Sequence, residues 1–265
     1  MIRFAIVYGK DDPAGKNIIE NLKSTHFLPQ TPIIETKKHP IYADDLSTKK
    51  YPELRGLDFI IFATTHKSEK GKPSLSIHAP GNWRSADLGG KQGKLSMTSA
   101  PVLKYLFKQL NKNAEPLKDK YHITLECTHH GPSIDIPCCF IEIGSSDEYW
   151  KDKEAGKVIA RTIASLQDYK PNQNWIPAIG IGGPHYCPSF NKVQLNSEYA
   201  VSHILPSYQF PVLQSMIQEA EEKTKEQIKE VLIEWKSFNS EQRQELLDML
   251  KKMDLSYKRT SHIEK

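Results

Sequence analysis

Leu57-Asp-Phe-Ile-Ile-Phe-Ala-Thr64 is apolar almost throughout, and it follows the turn-forming pair Arg55-Gly56. A strand that lacks polar alternation is covered on both faces. This segment therefore belongs inside a parallel or mixed sheet flanked by helices. Its strictly apolar part, Phe59–Ala63, is far shorter than the roughly 20 residues of a membrane span. Around it the chain alternates between strand and helix patterns. Ile2–Tyr8 reads as a first strand. Asp12-Pro13 then supplies a cap and first turn for a helix to about Leu22. Ser74–His78 is a second, shorter strand. Val102, Leu103, Leu106, Phe107 and Leu110 fall at helical spacing behind Ser99 and Pro101. Tyr121–Glu126, Cys138–Ile143 and Ile176–Ile181 are further strands, with a helix from Asp147 to Leu166 started by Ser146.

This order predicts an α/β three-layer sandwich around a mixed central sheet. From Pro211 the chain becomes Glu/Lys-rich. Val212–Trp235 and the segment from Ser240 through Leu250 read as helices. The expected organisation is an α/β domain over residues 1–210 that carries the chemistry. Residues 211–265 are expected to add C-terminal helices packed on it or extending it. A chain of 265 residues buries enough surface to fold without a disulfide or metal staple. The opening Met1–Gly9 is one strand long and lacks the h-region of a secretory signal, so the chain is expected to stay in the cytoplasm, away from membranes. The four cysteines, at 127, 138, 139 and 187, do not form a disulfide framework.

The net charge of +4 is unevenly distributed. Residues 67–120 carry 11 basic and 4 acidic side chains, an excess of +7. Within it Lys67, Lys70, Lys72, Arg84, Lys91 and Lys94 alternate with glycines at 71, 81, 89, 90 and 93. Two readings compete: a solvated lysine-rich face, or a surface that contacts phosphates and releases counterions.

Five of the ten histidines fall in four clusters where strands end. Glu126-Cys-Thr-His129-His130-Gly-Pro132 places a carboxylate, a thiol and two imidazoles within five positions, just beyond a strand. Ligands of open α/β sheets bind at such places. These side chains suit a metal, or a general base with an orienting carboxylate. Gly180-Ile-Gly182-Gly183-Pro-His185-Tyr-Cys187-Pro188 repeats the pattern. On an extended chain His185 and Cys187 face the same side, and the glycine amides suit an oxyanion. His78-Ala-Pro-Gly-Asn82 and Ser202-His203-Ile-Leu-Pro206 complete the set. Taken singly, each histidine is most simply a hydrogen-bonded loop or core residue. Four strand-end sites together favour one shared site. The absence of Cys-x-x-Cys, His-Glu-x-x-His, Gly-x-Ser-x-Gly and a Walker loop argues against a closed structural zinc site, a zincin protease, an α/β-hydrolase and a P-loop enzyme.

These four motifs, in this order and over about residues 1–255, resemble the archaeal and plant type of D-aminoacyl-tRNA deacylase. The resemblance implies a cytoplasmic, zinc-dependent hydrolase that removes D-amino acids from tRNA, with a fold related to nucleoside phosphorylases and peptidyl-tRNA hydrolase. Side-chain chemistry then suggests roles. His129, His130, His185 and Cys187 form the zinc ligand pool, with Glu126 as ligand or orienter. His78 or His203 acts as general acid or base, and the amides of Gly182 and Gly183 hold the oxyanion. The basic segment grips the tRNA acceptor stem, and Trp83 stacks on its unpaired terminal base. The expected partner is tRNA rather than DNA or a membrane, bound by a monomer or homodimer. A phosphorylase-like or other metal-dependent hydrolase, or a non-catalytic RNA-binding protein, is the alternative.

Overall fold

A computed structural model describes residues 2–24, 30–68 and 71–263. The fully apolar segment becomes the middle of a six-stranded sheet. β1 (Phe4–Gly9), β2 (Ile33–Thr36), β3 (Phe59–Lys67), β4 (Ser74–His78), β5 (His122–Leu125) and β6 (Cys138–Ser145) line up in the order β2-β1-β3-β6-β4-β5. β3 pairs in parallel with β1 and β6, whereas β4 runs antiparallel to β6. The sheet is therefore mixed, as the irregular order of strands and helices predicts.

One face of this sheet packs on α1 (Pro13–Ser24), α2 (Ala100–Asn113) and α4 (Lys153–Ala164) through residues such as Ile6, Ile61, Ile141, Ile18, Leu106 and Ile159. α3 is a single turn, Asp147–Trp150. The long helix expected from 147 to 166 is thus broken, and Asp152 caps its main part by accepting from the Glu154 and Ala155 amides. The other face, with Val7, Ile60, Phe62 and Phe140, is covered by short turns around Ala43, Leu46 and Leu54 and by Ile134. Helices therefore cover only one side of this sheet.

One central sheet was the expectation, and the structure has two. β7 (Ile176–Ile181), β8 (Tyr199–Leu205), β9 (Glu230–Ile233) and β10 (Tyr257–Arg259) form a second, all-parallel sheet in the order β10-β9-β7-β8. α5 (Pro188–Asn196) links β7 to β8, while α6 (Gln214–Glu222) and α7 (Ser240–Lys252) pack on its outer face. The C-terminal segment is therefore not purely helical. Glu/Lys-rich composition is a weak helix signal, and burial of Val231, Leu232 and Ile233 against β7 overrides it. β9 pairs directly with β7, so the expected boundary at residue 210 falls between strands of one sheet. The same segment also caps α2: Glu226, rather than a local side chain, accepts from the Ala100 amide.

Lys104, one of the cations of the basic segment, lies fully buried on α2. Its Nζ donates to the carbonyls of Gln194 (2.6 Å) and Tyr199 (2.8 Å). Burial, helped by Lys108, pushes its pKa down to about 7 from 10.5. Between these values the unfolded chain holds a proton that the folded chain releases, so this residue makes stability rise with pH. Lys104→Met is expected to remove that rise. Urea midpoints at pH 7 and pH 9.5 test it, and an equal gain in variant and wild type would reject the assignment.

Candidate active site

Alternation along three strands builds the floor of the site. On one face β3 presents Ile60, Phe62, Thr64 and His66, and β6 presents Cys138, Phe140 and Glu142. β4 presents Ser74, Ser76 and His78 there, with Ser76 opposite Glu142 and His78 opposite Phe140. The face is apolar at Ile60, Phe62, Cys138 and Phe140 and becomes polar one step further along. His78 stacks on Phe140 with centroids 5.2 Å apart. β5 pairs in parallel with β4, Leu125 opposite Ile77, which carries the next residue, Glu126, to the floor beside His78.

Backbone hydrogen bonds then join all four sequence motifs. The Cys127 amide donates to the His185 carbonyl (2.9 Å), and the Thr128 amide to that of Ile204 (2.9 Å). The Gly81 amide donates to the carbonyl of His130 (2.6 Å). His130 itself turns through φ 44°, a conformation uncommon outside glycine. Its ring lies 4.3 Å from that of His129 and 4.9 Å from that of His78, and the rings of His78 and His129 are 4.2 Å apart.

These three imidazoles share one hydrogen-bonding arrangement. His78 Nδ1 donates to the Ala79 carbonyl (3.2 Å), His129 Nδ1 to that of Cys127 (2.8 Å) and His130 Nδ1 to that of Gly131 (2.7 Å). A carbonyl accepts only from N–H, so each ring carries a proton on Nδ1, which leaves Nε2 as the atom free to bind a cation in the neutral form. Burial, reinforced by the neighbouring imidazoles, pushes His129 well below the usual histidine range. Burial and His78 push His130 down to about 3. Both stay neutral at physiological pH.

Two buried carboxylates lie alongside. Glu126 Oε2 accepts from His185 Nε2 (2.9 Å) and lies 3.5 Å from His129 Nε2, while its Oε1 lies 3.2 Å from His66 Nδ1. Glu142 Oε1 accepts from Thr64 Oγ1 (2.7 Å), and its Oε2 lies 3.5 Å from His66 Nδ1 and 3.7 Å from His78 Nε2. Burial alone would raise both pKa values. Histidines outweigh it, His185 and His66 at Glu126, His66 and His78 at Glu142, so both carboxylates are held below their usual range. The balance reverses at His185. Burial pulls it down, but Cys127 and Glu126 carry it up to about 10. His66 is raised in the same way, its burial outweighed by Glu142 and Glu126, and its Nε2 meets Tyr186 Oη at 3.0 Å.

The donor set suits a metal ion. The ligand atoms of His78, His129 and His130 lie within 4.8 Å of one another, as do those of Cys127, His129 and His185 and of His66, Glu126 and His185. Among the described residues, two buried atoms at this spot, His78 Nε2 and Glu126 Oε1, have no hydrogen-bond partner. Unpartnered buried polar atoms are costly, and a cation held by imidazole nitrogens beside a carboxylate would relieve that cost.

The structure brings His78, Glu126, His129, His130 and His185 together, but not the other expected site residues. Cys187 does not share a side with His185. The chain turns at 184–187, Cys187 takes φ 49°, and its thiol donates to the carbonyls of Pro184 and His185. Cys127 occupies the corresponding place, its Sγ 3.4 Å from His185 Nδ1. His203 is a satisfied core residue, with Nδ1 3.2 Å from Thr128 Oγ1 and Nε2 donating to the Lys223 carbonyl. The amides of Gly182 and Gly183 are already committed to Leu205 O (2.8 Å) and Ser237 Oγ (2.7 Å), so they hold no oxyanion.

The expected RNA contacts divide similarly. Trp83 is 5% exposed among Leu95, Ile179 and Met216, so it cannot stack on a base. Arg84 donates to the carbonyls of Gln209 and Pro211, and Lys94 pairs with Glu219 at 2.8 Å. Lys67, Lys72 and Lys91 are exposed, and Lys70 lies outside the described residues. Sequence reasoning missed His66, Glu142 and Tyr186. Glu142 had a legible signal, a lone carboxylate inside the apolar run Cys138-Cys-Phe-Ile-Glu-Ile143. His66, too, stands near the end of the most apolar strand, β3.

Comparison with known proteins adds to this geometry. Residues 54–258 match the family model described as D-aminoacyl-tRNA deacylase. The chain is 34% identical to a D-aminoacyl-tRNA deacylase of Thermococcus onnurineus, over 95% of this chain and 98% of that protein. It is 36% identical to one of Pyrococcus furiosus, over 85% and 82% respectively. The crystal structure of AF0625, described as a conserved protein of unknown function, superposes with a TM-score of 0.90 at 28% identity, covering 99% of this chain and 96% of that one. Among the described residues no helix is long and apolar enough to cross a membrane.

Proposed function

The chain belongs to the D-aminoacyl-tRNA deacylase family of enzymes, and on that premise we propose that it hydrolyses the ester of D-aminoacyl-tRNA with a zinc ion at the histidine cluster. The observation that carries the metal is the common pose of His78, His129 and His130, each with Nδ1 tied to a backbone carbonyl and with their ligand atoms within 4.8 Å of one another. Second partners of this kind fix the tautomer and orientation of metal-binding imidazoles. A zinc ion held there would lower the pKa of a bound water and polarise the ester carbonyl.

The remaining residues of the site work on charge and protons. Ester cleavage builds negative charge on the carbonyl oxygen and then on the departing ribose oxygen. His185 is the cation nearest solvent, its side chain 33% exposed. Glu126 holds His185 Nε2, and Cys127 faces its Nδ1, so the ring is fixed and keeps its proton. In this reading His185 faces the developing charge and supplies the leaving-group proton. Glu126 also lies beside His129 and His66, at 3.5 and 3.2 Å. The kinship with phosphorylase and peptidyl-tRNA hydrolase folds is part of the same proposal, as is a cytoplasmic site of action.

Hydrolysis of matched D- and L-tyrosyl-tRNA, with and without a zinc chelator, tests it. The expected result is rapid loss of the D ester only, abolished by chelation and restored by zinc. D-selective cleavage that survives complete chelation would remove the metal. Equal cleavage of both esters would remove the chiral specificity.

A further inference from the structure

We propose that the cleft at the carboxyl ends of β1 and β2 binds the unpaired 3′ end of tRNA, with Tyr42 as a base-stacking platform and Lys37 and Lys38 on the phosphates. The inference rests on the reaction proposed above and identifies where that substrate runs.

The cleft encloses about 480 Å³ and is lined by Gly9, Asp12, Lys37, Lys38, His39 and Tyr42 among others. It lies where ligands of open α/β sheets bind, beyond strand carboxyl ends at a point where strand order reverses. Here β1 has β2 on one side and β3 on the other. The cleft sets Lys37 and Lys38 against Asp11 and Asp12, and the nearby acids differ in how far they are engaged. Asp12 accepts from the amides of Gly15 (2.8 Å) and Thr65 (3.0 Å) and faces His39 Nε2 at 3.2 Å. Nearby, Glu35 accepts from Tyr8 and Asp45 pairs with Lys50. Lys37 and Lys38 are exposed, and neither has an ion-pair partner among the described residues. Asp11, on the rim, is the remaining exposed acid.

Tyr42 is 47% exposed and Leu88 53%, two of the few large apolar side chains left in solvent. Both border the loop that carries His130. The Gly131 amide donates to the Leu88 carbonyl (2.9 Å). A Cβ on Gly89 or on Gly131 would collide with the Ile41 carbonyl, and one on Gly89 would sit 3.2 Å from Tyr42 Cδ1. The aromatic platform is thus one loop away from the imidazole cluster. An exposed ring beside two lysines is the recognition chemistry of single-stranded nucleic acid, in which rings stack on bases and cations track the backbone. Trp83, buried in the second core, cannot supply it.

The test is fluorescence anisotropy of the full chain with a labelled RNA hexanucleotide that has the 3′ sequence of tRNA, across a salt series. Tyr42→Ala is expected to weaken binding about 5- to 100-fold with an unchanged salt slope, and Tyr42→Phe to bind as wild type. Lys37→Ala/Lys38→Ala is expected to reduce the log-affinity against log-salt slope by about 2. Wild type that does not bind the hexanucleotide at low salt, or Tyr42→Ala within twofold of wild type, would overturn the platform. An unchanged slope in the double variant would overturn the phosphate contacts. No hydrolysis is read in this experiment. A chain that binds RNA through Tyr42 yet spares D-tyrosyl-tRNA would count against the reaction alone.

Discussion

His130→Ala is expected to lower cleavage of D-tyrosyl-tRNA about a thousandfold, with the fold retained by circular dichroism and the zinc content of the purified protein reduced. Under the proposed function the loss would combine two effects: an ion held by two imidazoles instead of three, and a water no longer brought near a pKa of about 7. The fold should survive because His130 sits on a loop, half-buried, with a single hydrogen bond to its neighbour's carbonyl. His130 is also neutral over the working range, its pKa being about 3. Its removal takes no titrating group out of that range, so a displacement of the pH–rate profile toward higher pH reports the water. Activity within tenfold of wild type at full zinc content would exclude His78, His129 and His130 as the ligand set and leave the sets that contain His185.

Glu142→Ala is expected to be the most destabilising single change at the site, costing about 3–5 kcal/mol at neutral pH. That is the usual loss when one partner of a buried charged pair is removed. For a chain of this size it corresponds to a fall in Tm of about 10 °C. Glu142 is buried on the central strand β6, where it accepts from Thr64 and sits between His66 and His78. Its pKa is held well below 4.5 because those histidines outweigh the cost of burial. A depressed folded pKa contributes stability that is present above the unfolded value and lost as pH falls through the folded one. The gap between wild type and variant should therefore be full at pH 7 and shrink on acidification below about 4.5. Glu142→Gln, which keeps the acceptor for Thr64, should cost less. Thermal unfolding at pH 7 and pH 4 reads all of this. A Tm for Glu142→Ala within 2 °C of wild type at pH 7 would show that the carboxylate does not hold the site together.

Local pattern marked out β1, β3, β6 and β7 because a buried strand shows itself as an apolar run, and β4 and β5 by shorter alternation, and Ile176–Ile181 has the same ends in pattern and structure. It did not mark β9, since Val231-Leu232-Ile233 sits in Glu/Lys-rich surroundings and becomes a strand only by pairing with β7. Nor did it mark β2, whose four residues alternate between exposed and buried at the sheet edge.

For the site, the amino-acid sequence determined its raw material: histidines, a carboxylate and thiols placed where strands end, in four motifs specific enough to imply the family. Only the tertiary structure decided which way each of them faces. His130 and His203 are alike as letters. One ring is turned by a left-handed backbone toward two other imidazoles, while the other has both nitrogens satisfied inside a core. Gly182 and Gly183 resemble an oxyanion cradle until Leu205 and Ser237 are seen to occupy their amides. Trp83 is buried and Tyr42 left exposed for the same reason. Exposure, hydrogen-bond saturation and side-chain direction depend on what packs against a residue, and those partners come from segments remote in the chain.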